Sequence, residues 1–201
     1  FIGSNLANSF LDQNHNVTII DNLSRTGCLH NLEWLKSHKN ATNLQLIVSD
    51  IRNQNLAVNQ AISQADAIYH LAGQVAVTTS VKDPRDDFEI NILGTFNILE
   101  AIHQSCKKTP LFYSSTNKVY GSLPNVKVIE KQVRYEYDSL PLGISEDESL
   151  DFHSPYGCSK GAADQYVHDY SRIYDIPTVV FRQSCIYGYR QFGVEDQGWV
   201  A

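Results

Sequence analysis

Short apolar runs rich in β-branched residues alternate along this chain with segments whose apolar residues repeat at helical spacing. The predicted strands are residues 17–20, 44–48, 67–71 and 111–113. The predicted helices are residues 2–11, 29–39, 56–65 and 86–107. Strands separated by helices of about 10 to 15 residues form a parallel sheet with helices on both faces. The sequence therefore predicts an α/β fold with a doubly wound parallel sheet, in which the run 17–20 is buried on both faces.

The composition of the chain restricts the kinds of molecule that we expect it to bind. The chain has 201 residues, is 42% hydrophobic and carries a formal charge of −6. This negative charge argues against nucleic acid or an acidic membrane as a partner. Because no apolar run reaches the roughly 18 residues that cross a bilayer, we expect a cytoplasmic protein that acts on small molecules. The four cysteines lack Cys-x-x-Cys spacing, so we expect neither a metal site nor a disulfide framework.

The stretch from Ser154 to Asp164 places a phenol and an amine one helical turn apart. Ser154 can cap a helix and Pro155 suits its first position, so Tyr156 and Lys160 share one face. An ammonium at that spacing lowers the pKa of the phenol, and the phenolate can then take a proton from an alcohol near neutral pH. Tyr-x-x-x-Lys matches also arise by chance in a chain with 11 tyrosines, so the surrounding sequence has to decide.

Polar and small residues follow the predicted strands, where ligands of parallel sheets bind. Asp21 closes the first strand. A carboxylate there accepts hydrogen bonds from a ribose and repels a 2′-phosphate, which predicts NAD rather than NADP; the alternative is a solvated turn aspartate. Asp50 and Ile51 could bracket an adenine ring, and Ala72 and Gly73 would let the backbone approach a pyrophosphate, unless both pairs are turn residues.

The polar Asn91 interrupts the apolar stripe of the predicted helix 86–107. A buried amide needs hydrogen-bond partners, so Asn91 either supports a catalytic side chain or serves helix packing. The strand predicted at 111–113 runs out into hydroxyl residues, among them Ser114 and Thr116. We expect these hydroxyls to lie in the ligand crevice.

Taken together, these blocks resemble the extended short-chain dehydrogenase/reductases that modify nucleotide sugars, and they follow one another in the family's order. The blocks are Asp21, His70-Leu71-Ala72, Asn91…Gly94-Thr95-x-Asn97, Ser114-Ser115-Thr116…Val119-Tyr120-Gly121, Tyr156-x-x-x-Lys160 and Phe181-Arg182. The segments 21–25, 70–76, 114–121 and 150–166 resemble more narrowly the epimerases of CDP-activated sugars. The resemblance implies a Rossmann-type fold, bound NAD, a nucleotide-sugar substrate with a CDP-sugar favoured, and a homo-oligomer.

The resemblance also implies roles for individual residues. Tyr156 would be the base, Lys160 would lower its pKa and hold the nicotinamide ribose, and Thr116 would hydrogen-bond the alcohol. The implied cofactor-binding residues are Gly3, Asp21, Asn22, Ser24, Arg25, Asp50, Ile51, Leu71, Ala72, Gly73, Asn91, Ser114, Tyr156 and Lys160. The implied substrate-binding residues are Gln74, Thr116, Asn117, Lys118, Ser184 and Arg190.

Both ends of the chain are expected to be truncated relative to the full-length protein. In the family, a first strand and two glycines of the phosphate loop precede Gly3, and most of the substrate domain would follow the chain's end. The expected domains are residues 1–183, an incomplete NAD-binding domain, and 184–201, the start of the sugar-nucleotide region. The polar segment 123–150 resembles an epimerase insertion and is expected to belong to the substrate site, and 196–201 is expected to begin a helix.

Four functions remain open. The leading one is epimerisation of a nucleotide-activated sugar by transient hydride transfer to NAD, and its main rival is 4-epimerisation of a UDP-sugar. A sugar 4,6-dehydratase is disfavoured because its relatives carry Asp-Glu after the central hydroxyl, where this chain has Asn117 and Lys118. A catalytically silent NAD-binding scaffold would not need Thr116, Tyr156 and Lys160 together.

Overall fold

Helices and parallel strands alternate along the chain in the computed structural model, which describes residues 1–105 and 107–194. The elements up to the third strand are α1 (Ile2–Asp12), β1 (Val17–Asp21), α2 (Cys28–Lys36), β2 (Leu44–Val48), α3 (Leu56–Gln64) and β3 (Ile68–His70). The remaining elements are α4 (Val77–Lys82), α5 (Pro84–Phe88), a π-helix (Glu89–Leu93), α6 (Gly94–Gln104), β4 (Leu111–Thr116), a 3₁₀-helix (Asn117–Tyr120), β5 (Val128–Glu130), β6 (Tyr135–Tyr137), α7 (Ser154–Tyr174) and β7 (Thr178–Gln183).

The strands form two parallel sheets and one hairpin. Strand β1 pairs with β2, while β3, β4 and β7 form a three-stranded sheet with β4 in the centre. The short strands β5 and β6 pair antiparallel within the segment predicted to be an insertion. Every pair in the two larger sheets is parallel, which confirms the predicted α/β class and brings the carboxyl ends of β3, β4 and β7 to one edge.

The larger core lies where α3, α6 and α7 cover the three-stranded sheet. Its most deeply buried members are Leu99, Ile102, Leu111, Tyr113, Ala163 and Val167. Complete burial of one such aliphatic or aromatic side chain stabilises the fold by about 1.5–3 kcal/mol. This packing fixes β4 against α7, the two elements that carry the predicted catalytic residues.

Strand β1 departs from the prediction. Thr18 is exposed and the other four residues are only half-buried, so the strand is less buried than predicted. Within the part of the chain that the structure describes, β1 pairs with β2 alone. Val17 and Ile19 pack against the core formed by α1 and α2, and Ile20 packs against the larger core. The apolar run predicted the strand correctly, but the extent of its burial depends on neighbours that the run does not encode.

The long predicted helix at 86–107 is interrupted. A π-helix, Glu89–Leu93, separates α5 from α6, and the last helix ends at Gln104. A π turn contains one residue more than an α turn and is frequent at functional sites. Here the turn contains Asn91, which is almost completely buried.

Other differences are smaller. Strand β4 continues to Thr116, three residues beyond its predicted end, and β7 was missed although the run 178–181 is β-branched and aromatic. No helix among the described residues is both long and apolar enough to span a membrane. The helix expected to begin in 196–201 lies outside the described residues.

Candidate active site

Helix α7 begins as its sequence predicts. The backbone N–H of Gly157 donates to the Ser154 hydroxyl (3.2 Å), which caps the first turn, and a proline follows Ser154. The Tyr156 N–H donates to the buried Ser80 hydroxyl of α4 (3.1 Å). A side chain at Gly161 would overlap the ring of Phe152, so the preceding chain packs tightly over the helix. The first turn of α7 is therefore held from two sides.

The three predicted catalytic residues are all buried: Tyr156 is 8% exposed, Thr116 is 5% and Lys160 is 4%. Thr116 ends β4 at the sheet edge, while the other two lie on α7. The Lys160 ammonium donates to the Ser114 carbonyl oxygen (2.5 Å) and lies 4.3 Å from the centroid of the Tyr113 ring. The structure thus brings Thr116, Tyr156, Lys160 and Ser114 to one place.

The electrostatics of this cluster differ from the prediction. Burial raises the pKa of the Tyr156 phenol, a hydrogen bond with Thr116 partly opposes this, and the nearby Asp87 charge adds to the increase in pKa. Lys160 does not lower the Tyr156 pKa as predicted, because burial dominates and the ammonium is directed at the Ser114 carbonyl. Burial lowers the pKa of Lys160 itself to about 7, against the charges of Asp164 and Asp87.

Asn91 connects the loop after β3 to α7. Its Oδ1 accepts a hydrogen bond from the Gln74 N–H (2.9 Å). Its Nδ2 donates to the Gln74 carbonyl oxygen (3.2 Å), Asp87 Oδ1 (3.2 Å) and Ser159 Oγ (3.0 Å). Because Ser159 directly precedes Lys160, the buried amide has the partners that the sequence required and steadies the helix that carries Tyr156.

A second polar group gathers at the ends of β1 and β2. Asp21 accepts a hydrogen bond from the Leu23 N–H (2.7 Å). Asn22 donates to Asp50 Oδ2 (3.0 Å) and accepts from the Ser24 hydroxyl (2.8 Å). Hydrogen bonds from Arg52 hold the pKa of the Asp50 carboxyl well below its usual range. Arg25, also predicted to bind the cofactor, lies in the turn before α2, where its carbonyl oxygen accepts a hydrogen bond from the Cys28 N–H (3.1 Å).

Two glycines lie close to these groups. A Cβ atom at residue 73 would lie 3.0 Å from Asn91 Oδ1 and 3.7 Å from Lys160 Nζ, so Gly73 allows the loop after β3 to approach Asn91 and the amine closely. A Cβ atom on Gly3 would lie 3.5 Å from Leu71 Cδ1, at the end of β3 beside Ala72. The carboxylate at the end of β1 and the glycine beside Lys160 fit a dinucleotide.

Ile51, which was predicted to contact an adenine ring, packs against α6. A side chain at Gly94 would overlap Ile51, and the Ile51 carbonyl oxygen accepts a hydrogen bond from Asn97 Nδ2 (2.9 Å). The residue is thereby held against α6.

The predicted substrate residues divide into two sets. Thr116 accepts from the Lys118 N–H (3.3 Å) and lies beside Asn117, and the Gln74 side chain is bonded to the backbone of Ala76 (both bonds 2.7 Å). These residues surround the cluster on α7. Arg190 instead packs on α2, and Ser184 is exposed after β7.

Among the described residues, the contacts of Arg190 are with α2 and with its own chain neighbours, Tyr189 and Phe192. Its Nε donates to Asn31 Oδ1 (3.1 Å), its Nη2 donates to the His30 carbonyl oxygen (2.8 Å), and its guanidinium lies 4.8 Å from the Trp34 ring. Substrate binding by Arg190 therefore stays a prediction that this arrangement does not support.

Sequence reasoning missed two buried carboxylates, Asp87 and Asp164. Asp164 follows Lys160 by four residues on the same helix face, and this spacing in the sequence could have identified it. Asp87 lies in the first turn of α5, where an acidic residue looks like an ordinary helix-dipole partner.

Comparison with known proteins gives matches along nearly the whole chain. The family model described as GDP-mannose 4,6-dehydratase matches residues 1–195. The CDP-paratose 2-epimerase of Salmonella typhi is 52% identical over 100% of this chain and 59% of its own length. A putative UDP-glucose 4-epimerase of Methanocaldococcus jannaschii is 33% identical over 95% of this chain and 54% of its own length.

A solved structure shows the same fold. The UDP-glucuronic acid 4-epimerase of Bacillus cereus, in complex with UDP-glucuronic acid and NAD, superposes with a TM-score of 0.76 at 30% identity. The match covers 95% of this chain and 55% of that one. The chain thus spans little more than half the length of the relatives it matches. On the family match and these identities, the chain belongs to the GDP-mannose 4,6-dehydratase family of extended short-chain dehydrogenase/reductases.

Proposed function

We propose that the protein carrying this chain is an NAD-dependent epimerase of a nucleotide-activated sugar, and that its reaction is the conversion of CDP-paratose to CDP-tyvelose. The observation that carries the proposal is the 52% identity with a CDP-paratose 2-epimerase along the whole chain. The buried cluster of Thr116, Tyr156 and Lys160 supports it, because this cluster has the groups that oxidation of an alcohol requires.

The cofactor would be held along the carboxyl ends of the strands. Asp21 would bind the adenosine ribose, Gly73 would admit the backbone to the pyrophosphate, and Lys160 would hold the second ribose. When bound, NAD supplies a reversible hydride acceptor, so a stereocentre can be oxidised and then reduced on its other face. The negative charge of Asp21 favours NAD over NADP.

Tyr156 would move the proton. As the carbon loses its hydride, the phenolate oxygen takes the hydroxyl proton, and the same oxygen returns it when the ketone is reduced. Thr116, which ends β4 close enough to influence the Tyr156 pKa, would hold the sugar oxygen at this point. Burial leaves the phenol with a raised pKa, so the contribution of Lys160 would be to hold the second ribose and not to lower that pKa.

The direct test is to offer CDP-paratose and UDP-galactose side by side to the protein that carries this chain. We expect turnover of the CDP-sugar without added reductant. In deuterated water the inverted carbon should carry no deuterium, because the hydride does not exchange with solvent in a closed site. Stoichiometric deuterium at that carbon would contradict hydride return, and turnover of UDP-galactose alone would replace the assignment with a 4-epimerase.

The rival 4-epimerase has an observation in its favour, the 33% identity with a putative UDP-glucose 4-epimerase. A dehydratase needs an additional acid and base to eliminate water. The positions after Thr116 carry Asn117 and Lys118 instead of a carboxylate pair, which disfavours elimination. In deuterated water the UDP-galactose arm of the assay also detects elimination, since a dehydratase would expel the C6 hydroxyl and place deuterium at C6 of that sugar.

The protein is further proposed to form a homo-oligomer through the outer faces of α6 and α7. Four large apolar or aromatic side chains are partly exposed there: Phe96, Tyr166, Ile173 and Tyr174. Contiguous exposed patches of this kind mark interfaces more often than free surface. Sedimentation of Ile173→Glu should show weakened association, whereas Leu142→Glu, at a fully exposed loop position, should not. A wild-type protein that is monomeric at micromolar concentration would refute this interface.

A further inference from the structure

Asp164 is a completely buried carboxylate on α7, one helical turn after Lys160. Its Oδ2 accepts hydrogen bonds from Ser115 Oγ (2.7 Å) and Arg182 Nε (3.0 Å). Its Oδ1 accepts from Arg182 Nη2 (3.0 Å) and Gln165 Nε2 (3.0 Å). His168 Nε2, one turn further along α7, lies 3.7 Å from Oδ1. Both oxygens are therefore engaged, and the guanidinium binds them in the bidentate geometry that gives the strongest carboxylate contacts.

The partners of Asp164 lie on both sides of Thr116. Ser115 immediately precedes Thr116 on β4. Arg182, on β7, also donates through Nη1 to the Tyr120 hydroxyl (2.9 Å) in the 3₁₀-helix that follows Thr116. One carboxylate thus ties the residue before Thr116 and the helix after it to the helix that carries Tyr156.

The charge of Asp164 also acts on Lys160. Burial lowers the pKa of Lys160 to about 7, and Asp164 is the larger of the two charges that oppose this, Asp87 on α5 being the other. The remaining titratable groups facing Lys160 are neutral: burial and the Lys160 charge lower the pKa of His70 to about 3, and burial raises the pKa values of Tyr113 and Tyr156. Among the described residues, the two aspartates are the groups that favour a charged Lys160.

A purely stabilising role accounts poorly for this arrangement. Buried ion pairs often contribute little net stability, because desolvation of the two charges offsets their attraction. An apolar pair could join α7 to β7 equally well, but it could neither accept the Ser115 hydrogen bond nor support an ammonium one turn away.

We propose that Asp164 is a positioning residue of the hydride-transfer site, one that holds Thr116 against Tyr156 and keeps a negative charge beside Lys160. This proposal rests on the epimerase function proposed above. Asp164 itself acts through Thr116 and Lys160 and has no role in transferring a proton.

The test compares variants that separate the two effects. Asp164→Asn keeps the shape of the side chain but removes its charge. We expect kcat to fall at least about tenfold. We also expect the alkaline limb of the pH profile of kcat to move by roughly one unit to lower pH. Asp164→Glu should restore the position of that limb. Ser115→Ala removes only the bond to β4, so kcat should fall without a change of the limb. The matched control is Asp169→Asn, the same change at an exposed position of α7, which should leave the profile unaltered.

Three results would overturn the proposal: a wild-type pH profile in Asp164→Asn, an unchanged kcat in Ser115→Ala, or a shifted limb in Asp164→Glu as large as in Asp164→Asn. If Asp164→Asn does not fold, Ser115→Ala still tests the positioning claim, because it leaves the ion pair in place.

A second measurement is independent of turnover. In protein labelled with ¹³C at lysine Cε, the Lys160 signal can be assigned by its loss in Lys160→Met and then titrated by NMR. Its midpoint should lie lower in Asp164→Asn than in the wild type, and an unchanged midpoint would refute the electrostatic claim. If the wild type turns over no nucleotide sugar, the proposed function fails, yet this titration still decides whether Asp164 supports the ammonium.

Discussion

The two parallel sheets of this molecule are built differently although both end in polar residues. The sheet β3–β4–β7 is covered by α6 and α7 over a large core, and its polar groups, such as Lys160 and Asp164, are buried beside that core. The sheet β1–β2 has a small core of its own, Ala7, Leu11 and Leu35, and reaches the larger core through Ile20 and Ile47. Its polar groups are half-buried or exposed. Proton transfer needs fixed distances and a site without water, whereas hydrogen bonds to a ribose can be made at a surface. We infer that the region around β3, β4 and β7, proposed for catalysis, is rigid. The region around β1 and β2, proposed for nucleotide binding, is less densely packed.

The strongest test of this contrast is Tyr156→Phe. The variant keeps the buried ring and removes the oxygen that is proposed to accept the proton, so turnover should fall by about 10² to 10⁴-fold while NAD affinity stays within about twofold. Steady-state kinetics and a cofactor titration measure the two quantities. A loss of less than about tenfold would assign the base to another residue.

A matched pair of core variants tests the difference in packing. Leu99 and Leu35 are both buried, one in each core. Leu99→Ala should lower the free energy of unfolding by about 4–5 kcal/mol, and Leu35→Ala by about 2–3 kcal/mol, because the smaller and more open core can collapse around the cavity. Urea denaturation measures both, and a larger loss for Leu35→Ala would reverse the comparison.

The pH dependence of stability tests the burial of Lys160. Its folded pKa is lowered to about 7 from an ordinary value of 10.5, so between these values the unfolded chain binds more protons than the folded one. Relative to Lys160→Met, wild-type stability should therefore rise with pH above about 7, by up to about 1.4 kcal/mol per pH unit, and level off above about 10.5. Equal slopes in the two proteins would show that Lys160 is solvated.

The smallest expected effect is at the end of β1. Asp21→Asn removes the charge that is proposed to repel a 2′-phosphate, so the preference for NAD over NADP should shrink by about tenfold with little change in stability. Dissociation constants for both cofactors measure this preference, with Asp66→Asn, a fully exposed surface change, as the control. An unaltered preference would remove Asp21 from the cofactor site.

The sequence by itself determined the alternation of strands and helices from α1 to β3, the position of β4, the capped start of α7 and the shared helix of Tyr156 and Lys160. These features follow from local rules, because side-chain periodicity and spacing along one element are encoded within a few residues. Only the tertiary structure decided that Asp87 and Asp164 are buried, and that a π turn directs Asn91 to α7. It also decided that the pKa of Tyr156 is raised rather than lowered. Burial and electrostatics depend on which distant elements pack around a group, and a pattern of neighbouring residues carries no information on that packing.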